Sequence, residues 1–395
     1  MTRRVLLLGG RAPHLRAARS LGLAVANVAL PGEFPTTFQG LSDETLLSDF
    51  TDLDRVRPVV RAWHAAHPFA QVVSFTEEGL LPAALLREEL GLGGTPAKTT
   101  ARLRDKAAMR ARLADSGLAT VAHAEVSDAA GVRRFAAEHG YPVIVKPKDG
   151  VRSRGVHRVA TDVEAEDAMR RLRADSSGEV LVEGLITGLE LTAESVSVGG
   201  RHHVLGITEV FTDAAHLETG HVTPARIGVA EAEAIRSYVE TFLDVMGVVE
   251  GPSHTQLFWT SDRGPVVIES HDRIGGDREH ELLHHTYGHD VLALTFGLPT
   301  GLMPEPRPLV WSPREATAIW FLHGTGERLV GLGTVDDAWK SPGVVSVALA
   351  REDRLLDRVL TPSDRMGWVI ARGADADEAL ARARRGIEAL RLDYA

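Results

Sequence analysis

Two short apolar runs constrain the fold most. RVLLL at 4–8 and QVVSF at 71–75 are continuous rather than alternating, and each leads directly into a helical stretch. The first passes through Gly9-Gly10 into a helix reaching Arg19, and the second enters EEGLLPAALLREEL. A strand without a polar face has to be covered on both sides, as in a parallel sheet flanked by helices. Another strand near Leu23–Val28 keeps the same alternation. The glycines after the first run do not spell G-x-G-x-x-G, so the dinucleotide fingerprint is absent and Gly9-Gly10 reads as a tight strand-to-helix turn.

The pattern changes after LGGTP at 92–96. A helix-rich stretch, TTARLRDKAAMRARLADSGL, runs to Gly117, and YPVIVKPKDGVRSRGVHRV (141–159) then reads as strand, cation- and glycine-rich loop, strand. EVLVEGLITGLELTAESVSVGG reads as two strands broken at Gly188, with a third at His203–Thr208. A loop containing GHVTPA follows, then a helix near 229–246 and antiparallel strands at 254–260 and 265–270. LPTGLMPEPRP (298–308) is a proline-rich join, after which come short strands and a final amphipathic helix, DEALARARRGIEAL. A chain of 395 residues is too long for one core and implies two to four lobes.

Composition narrows the function. Hydrophobic residues make up 44% and charged residues 25%, as in a water-soluble globular chain. A net charge of -10 argues against a nucleic-acid surface. With no cysteine, disulfides and thiolate zinc sites are excluded. No stretch approaches the roughly 20 apolar residues of a membrane helix, and the apolar run before Gly9 is too short for a signal peptide. The expected location is the cytoplasm.

Two segments concentrate chemistry. In KPKDGVRSRGVHRV a strand delivers Lys146 to a loop bracketed by Gly150 and Gly155, with Ser153 between two arginines. Glycine lets backbone N–H groups approach an oxyanion, and the cations offset its charge, although a solvated hairpin has the same composition. The second segment, GPVVIESHDRIGGDREHELLHH (264–285), contains HELLH, which formally matches the zinc-peptidase pattern H-E-x-x-H. No third-ligand signature follows it, and three fixed positions recur by chance in a chain with 17 histidines. His280 and His284 therefore read as pocket-lining or surface residues.

Taken in order, these features resemble the ATP-grasp superfamily. The matching residues are Asp105, Lys106, Met109 and Arg110, then PVIVKP (142–147) and the loop with Gly150, Ser153, Gly155 and Val156. The hinge VEGLITGLE (182–190) and the stretch IESHDRIGGD (268–277) complete the series. The resemblance implies an α/β (α+β) architecture: an N-terminal Rossmann-like parallel lobe (1–97), an ATP-grasp domain (98–308, lid about 115–184) with antiparallel sheets, and a small C-terminal α+β lobe (309–395) packed on the core.

It also implies roles. Lys106 and Lys146 would meet ATP phosphates beneath a lid carrying Ser153 and Gly155. Glu183 and the backbone of Gly184 and Ile186 would address adenine, and Glu190 the ribose. Glu269 would bridge magnesium ions, with manganese a permitted substitute, and Arg273 would steady an acyl-phosphate. Gly275, Gly276 and the helix start after them would suit a substrate carboxylate or the acyl-phosphate. Two positions depart from the family pattern. Gln256 stands where the first-strand acid belongs and His271 where an asparagine does, and neither is a strong ligand for a hard cation. Fewer metals, substitution by His254 or Asp272, or lost activity would each follow.

Among ATP-grasp branches the sequence looks most like the bacterial L-amino-acid ligases, through LETGHVTPARI (217–227), the GPSHTQ strand and the C-terminal lobe. Glu218, His221 and Pro224 would then lie by an amino-acid pocket. The implied activity is ADP-forming carboxylate–amine ligation through an acyl-phosphate, in specialised metabolism. Its partners are small carboxylates and amines, amino acids among them, with no nucleic acid or membrane, and a homodimer is allowed. The alternatives are a purine-pathway ATP-grasp ligase and, from other classes, a zinc metallopeptidase or a non-catalytic nucleotide-binding protein.

Overall fold

In the computed structural model, which describes residues 2–394 except 149–154, 176–178, 214–216, 306–312, 324–328, 333, 350–364 and 391, the runs RVLLL and QVVSF are adjacent strands. Strands β1 (Arg4–Leu8), β2 (Ala24–Ala29), β3 (Glu44–Leu47) and β4 (Gln71–Ser74) form a parallel sheet in the order β3-β2-β1-β4. Helix α1 (Ala12–Ser20) connects β1 to β2, α2 (Leu53–Ala66) connects β3 to β4, and α3 (Glu77–Glu89) follows β4. All of β1 and β4 is buried, as their unbroken apolar character requires. Gly9 has φ +69°, and the Gly10 amide donates to the buried Asn27 side chain at 3.1 Å. A Cβ on Gly10 would lie 2.7 Å from that oxygen, so the turn needs glycine for close approach.

The helix-rich stretch breaks at Asp105 into α4 (Ala97–Arg104) and α5 (Lys106–Ser116). The Asp105 carboxylate caps α5 by accepting from the Ala108 amide, and Gly117 ends the helix in the left-handed conformation. A small antiparallel sheet follows: β5 (His123–Val126), β6 (Val143–Pro147), β7 (His157–Val159) and β8 (Val180–Gly184), ordered β5-β8-β6-β7. Helices α6 (Ala129–His139) and α7 (Asp162–Asp175) share its core.

An antiparallel eight-stranded sheet, ordered β13-β12-β9-β10-β11-β14-β17-β16, dominates the rest. Its first strands are β9 (Leu189–Val198), β10 (Arg201–Thr212), β11 (Glu218–Thr223), β12 (Gly251–Thr260) and β13 (Gly264–His271), with α8 (Val229–Met246) between β11 and β12. Helices α9 (Glu279–Tyr287) and α10 (Val291–Gly297) come next. The chain then adds β14 (Ala316–Leu322), β15 (Leu329–Leu332), α11 (Val335–Trp339), β16 (Val344–Leu349), β17 (Gly367–Gly373), α12 (Ala376–Ala389) and β18 (Leu392–Tyr394). Strands β14, β16 and β17 continue the large sheet, while β15 and β18 pair separately.

The sequence reading of GHVTPA as loop requires correction. Residues 218–223 form β11, hydrogen-bonded to β10 and β14. Its glycine serves packing instead of a turn: a Cβ on Gly220 would lie 2.2 Å from the Trp320 ring. Strand alternation then gives the sheet two unlike faces. Leu191, Ala193, Leu257 and Val267 pack against Val239, Phe242 and Met246 of α8. Glu190, Thr192 and Glu194 of β9 alternate with those core residues, and the register pairs Glu194 with His254, His254 with His271, and Gln256 with Glu269. Among the described residues no helix is long and apolar enough to cross a membrane.

Candidate active site

A cavity of about 560 Å³ opens between the small sheet and the polar side of the large one. The hinge from Glu183 to Glu190 lines it, opposite Lys106, Lys146 and Glu269. Its apolar parts, including Leu185, Ile186 and Phe258, suit a flat heterocycle, and its lysines suit phosphates. Each lysine has an acidic partner: Lys106 Nζ lies 3.1 Å from Glu269, and Lys146 Nζ 2.6 Å from Glu183. Burial pushes the Lys146 pKa down, and Glu183 counters this only in part. Burial also works against a charged Glu183, yet Lys146 and Arg110 hold its pKa below the usual range. Arg110 is fully buried, bonds Glu183 at 2.6 Å and donates to the Ile268 carbonyl.

The Glu183 side chain is therefore an anchor for Lys146 and Arg110, and it lines the cavity together with Gly184 and Ile186. Glu190 lines the same cavity, accepts from the Gln256 side-chain amide at 2.6 Å, and has its pKa raised by burial. Gly155 is described and has φ +76°, and a Cβ there would crowd Pro147. Ser153 lies outside the described residues.

Glu269 faces the expected metal position. Burial would raise its pKa, but Lys106 and His271 hold it well below normal, which keeps a carboxylate available to a cation. The His271 Nε2 lies 3.6 Å from Glu269 and 4.0 Å from Glu77, and its buried Nδ1 has no hydrogen-bond partner among the described residues. Gln256 spends its amide nitrogen on Glu190, leaving its oxygen as a neutral donor. One carboxylate, one amide oxygen and one imidazole fit a single divalent ion better than a pair bridged by acids. The His254 Nδ1 is hydrogen-bonded to Glu194, and these two residues form a close group of metal-type ligands with Glu279. Asp272 is held by Thr100 at 2.5 Å.

A second cavity, about 460 Å³, lies between the parallel sheet and the same polar face. Parallel sheets gather ligands at the carboxyl ends of their strands. Arg11 and His14 after β1, and Thr76 and Glu77 after β4, line this cavity. His14 stacks on Phe75 with ring centroids 3.9 Å apart, and burial lowers its pKa to about 3, so it stays neutral. Arg273 also faces this cavity and donates to Glu77 at 2.5 Å. Glu218, Gln256 and Glu269 line both cavities, so the two meet there.

Beyond that junction, His221 Nε2 lies 3.2 Å from Asp277, and Arg365 reaches Asp277 at 2.6 Å. Asp277 and Arg278 have positive φ without being glycine, a strained geometry that aims the Asp277 carboxylate. Sequence reasoning missed Glu77, Asp277 and Arg365. The strand-end rule could have located Glu77, and Asp277 closes the matched IESHDRIGGD stretch, whereas no local signal marks Arg365.

Both glycines of the pair line the second cavity, and the Gly275 amide donates to Glu194 at 3.0 Å. A Cβ there would strike Glu194 and His254, which explains the glycine structurally. Gly276 lines the second cavity with open space beside it. HELLH lies on α9, with His280 on the cavity wall and His284 exposed. The groups of close metal-type ligands among the described residues are Glu194, His254 and Glu279, and Glu218, His221 and Asp277. Neither contains the two HELLH histidines.

Comparison with known proteins agrees with this fold. An ATP-grasp domain model matches residues 139–281, an ATP-grasp N-terminal domain model 15–94, and an L-amino acid ligase C-terminal domain 2 model 321–395. Protein y4rH of Sinorhizobium fredii is 28% identical over 87% of this chain and 72% of its own length. An L-arginine-specific L-amino acid ligase of Bacillus subtilis is 22% identical over 78% of this chain and 76% of its own. The solved structure of an L-amino acid ligase from Bacillus licheniformis superposes with a TM-score of 0.83 at 23% identity, covering 100% of this chain and 99% of that one. The chain therefore belongs to the ATP-grasp superfamily, as a ligase on the branch that carries an L-amino acid ligase C-terminal domain.

Proposed function

We propose that the protein joins an amino acid, as carboxylate donor, to an amine through an acyl-phosphate, releasing ADP and phosphate. The observation that carries this reading is the junction of the two cavities at Glu218, Gln256 and Glu269. A nucleotide in the larger cavity, with its phosphates toward Lys106 and Lys146, would present its terminal phosphoryl group at that junction. A carboxylate in the smaller cavity would meet it there in line. Magnesium held by Glu269 would supply charge neutralisation for the phosphates.

The remaining steps belong to the chain's own residues. A carboxylate oxygen attacks the phosphoryl group, and the bond from phosphorus to the ADP oxygen breaks. Arg273 lies on the carboxylate side of the junction, and it steadies the charge that builds on the acyl-phosphate and its tetrahedral adduct. An amine then attacks the acyl carbon and phosphate leaves. Arg273 must exchange its Glu77 partner for the substrate, so Glu77 holds the guanidinium in place beforehand. The second cavity has cations and acids on its walls, which suits amino acids carrying both an ammonium and a carboxylate.

The test is ADP release across a panel of amino-acid pairs with ATP and magnesium. Turnover should require the correct pair. Arg273→Ala and Lys146→Ala should each lower it by about a hundredfold or more, since each removes charge stabilisation at the phosphoryl group. Wild-type rates in either variant would remove that assignment, and AMP release would contradict the acyl-phosphate route.

A further inference from the structure

The strongest group outside the nucleotide and metal residues is built by the C-terminal lobe. Arg365 precedes β17, within the span matched by the L-amino acid ligase C-terminal domain model. Its guanidinium lies 3.6 Å above the Phe321 ring of β14 and is almost wholly buried. One arm reaches Asp277 at 2.6 Å, and the other lies 2.9 Å from the Glu218 carbonyl and 3.3 Å from the Glu218 carboxylate. A single arginine thus bridges the start of β11 and the strained turn before α9, two segments that sequence separates by almost sixty residues. Both acids line the second cavity.

We infer that Arg365 is a positioning residue for amino-acid recognition: it clamps Glu218 and Asp277 side by side so that the pair accepts one ammonium group. This rests on the ligase reading above. Two adjacent, partly buried carboxylates repel each other, and a cation between them offsets that repulsion. With both ionised, the single charge of Arg365 leaves one net negative charge facing the cavity, which matches one ammonium. Before the substrate arrives, burial and Asp277 raise the Glu218 pKa well above normal. Against its own burial, Asp277 is held low by His221 and Arg365. The aromatic seat on Phe321 fixes the guanidinium plane, so charge alone does not reproduce the geometry.

Steady-state kinetics of wild type, Arg365→Met and Arg365→Lys test this with the amino-acid pair found in the ADP assay. Arg365→Met should raise KM for the amino acid bound by its ammonium about tenfold or more, as expected on losing charge-assisted hydrogen bonds. KM for ATP should change several-fold less than KM for that amino acid, because Asp277 lies on the second cavity alone and only Glu218, of the two acids, also borders the nucleotide cavity. Arg365→Lys should recover part of the loss by restoring the charge. An unchanged amino-acid KM in Arg365→Met would overturn the inference. So would a parallel fall in kcat and rise in both KM values, with a lower melting temperature and no rescue by lysine. If the wild type shows no amino-acid-dependent ADP release, the ligase reading fails, and the clamp falls with it.

Discussion

Glu183 shows how far a local sequence pattern carries at the residue scale. Its position in VEGLITGLE was legible as the hinge, but its task was not, because Arg110 and Lys146 reach it from α5 and β6. Replacing it with glutamine would leave two buried cations facing a neutral amide. Breaking a buried ion pair from one side costs about 3–5 kcal/mol, so Glu183→Gln should lower the unfolding free energy by that order in denaturant titrations. The sign of the pH dependence follows from its depressed pKa. The ion-pair contribution is complete above the ordinary carboxylate range and is lost as pH falls through the lower folded value. The gap between wild type and Glu183→Gln should therefore close on acidification; a gap unchanged by pH, or under about 1 kcal/mol, would show that Glu183 is not the counter-charge.

Elements were legible where the segment carried its own instructions. The helix at 229–246 was read at its observed limits because Gly228 and Gly247 flank a regular apolar spacing. Strand β3 and helix α2 went unread: ETLL is short, with alternate residues exposed, and LDRVRPVVRAWHAA carries an internal proline. β11 was mistaken for loop because glycine and proline signal turns locally, whereas Gly220 answers to Trp320 on another strand. The break at Gly188 was read correctly and has a physical cause. A Cβ there would lie 2.2 Å from the Trp259 carbonyl oxygen, so the hinge depends on close backbone approach to β12. Gly188→Ala should push the hinge from the sheet, raising KM for ATP several-fold more than KM for the amino acids. Equal effects on both would show that the hinge does not shape the nucleotide cavity.

For the whole molecule, the eight-stranded sheet joins lobes that the sequence presents as successive blocks. Its polar side receives Glu190, Glu194, His254, Gln256, Glu269 and His271 from three adjacent strands, so alternation alone assembles much of the candidate site. That part was legible because each strand could be read separately. The second cavity was not, since Arg11, Glu77 and Asp277 converge on it from distant segments, with Arg365 paired to Asp277. The central claim is that oxygen passes from a substrate carboxylate to phosphate at the junction of the two cavities. The direct measurement uses an amino acid active in the ADP assay, labelled with oxygen-18 in its carboxylate, and follows the label by mass spectrometry of the released phosphate. One labelled oxygen in inorganic phosphate per turnover, alongside ADP, is the predicted result; label retained entirely in the amide product and unreacted acid, or appearing in AMP, would contradict it.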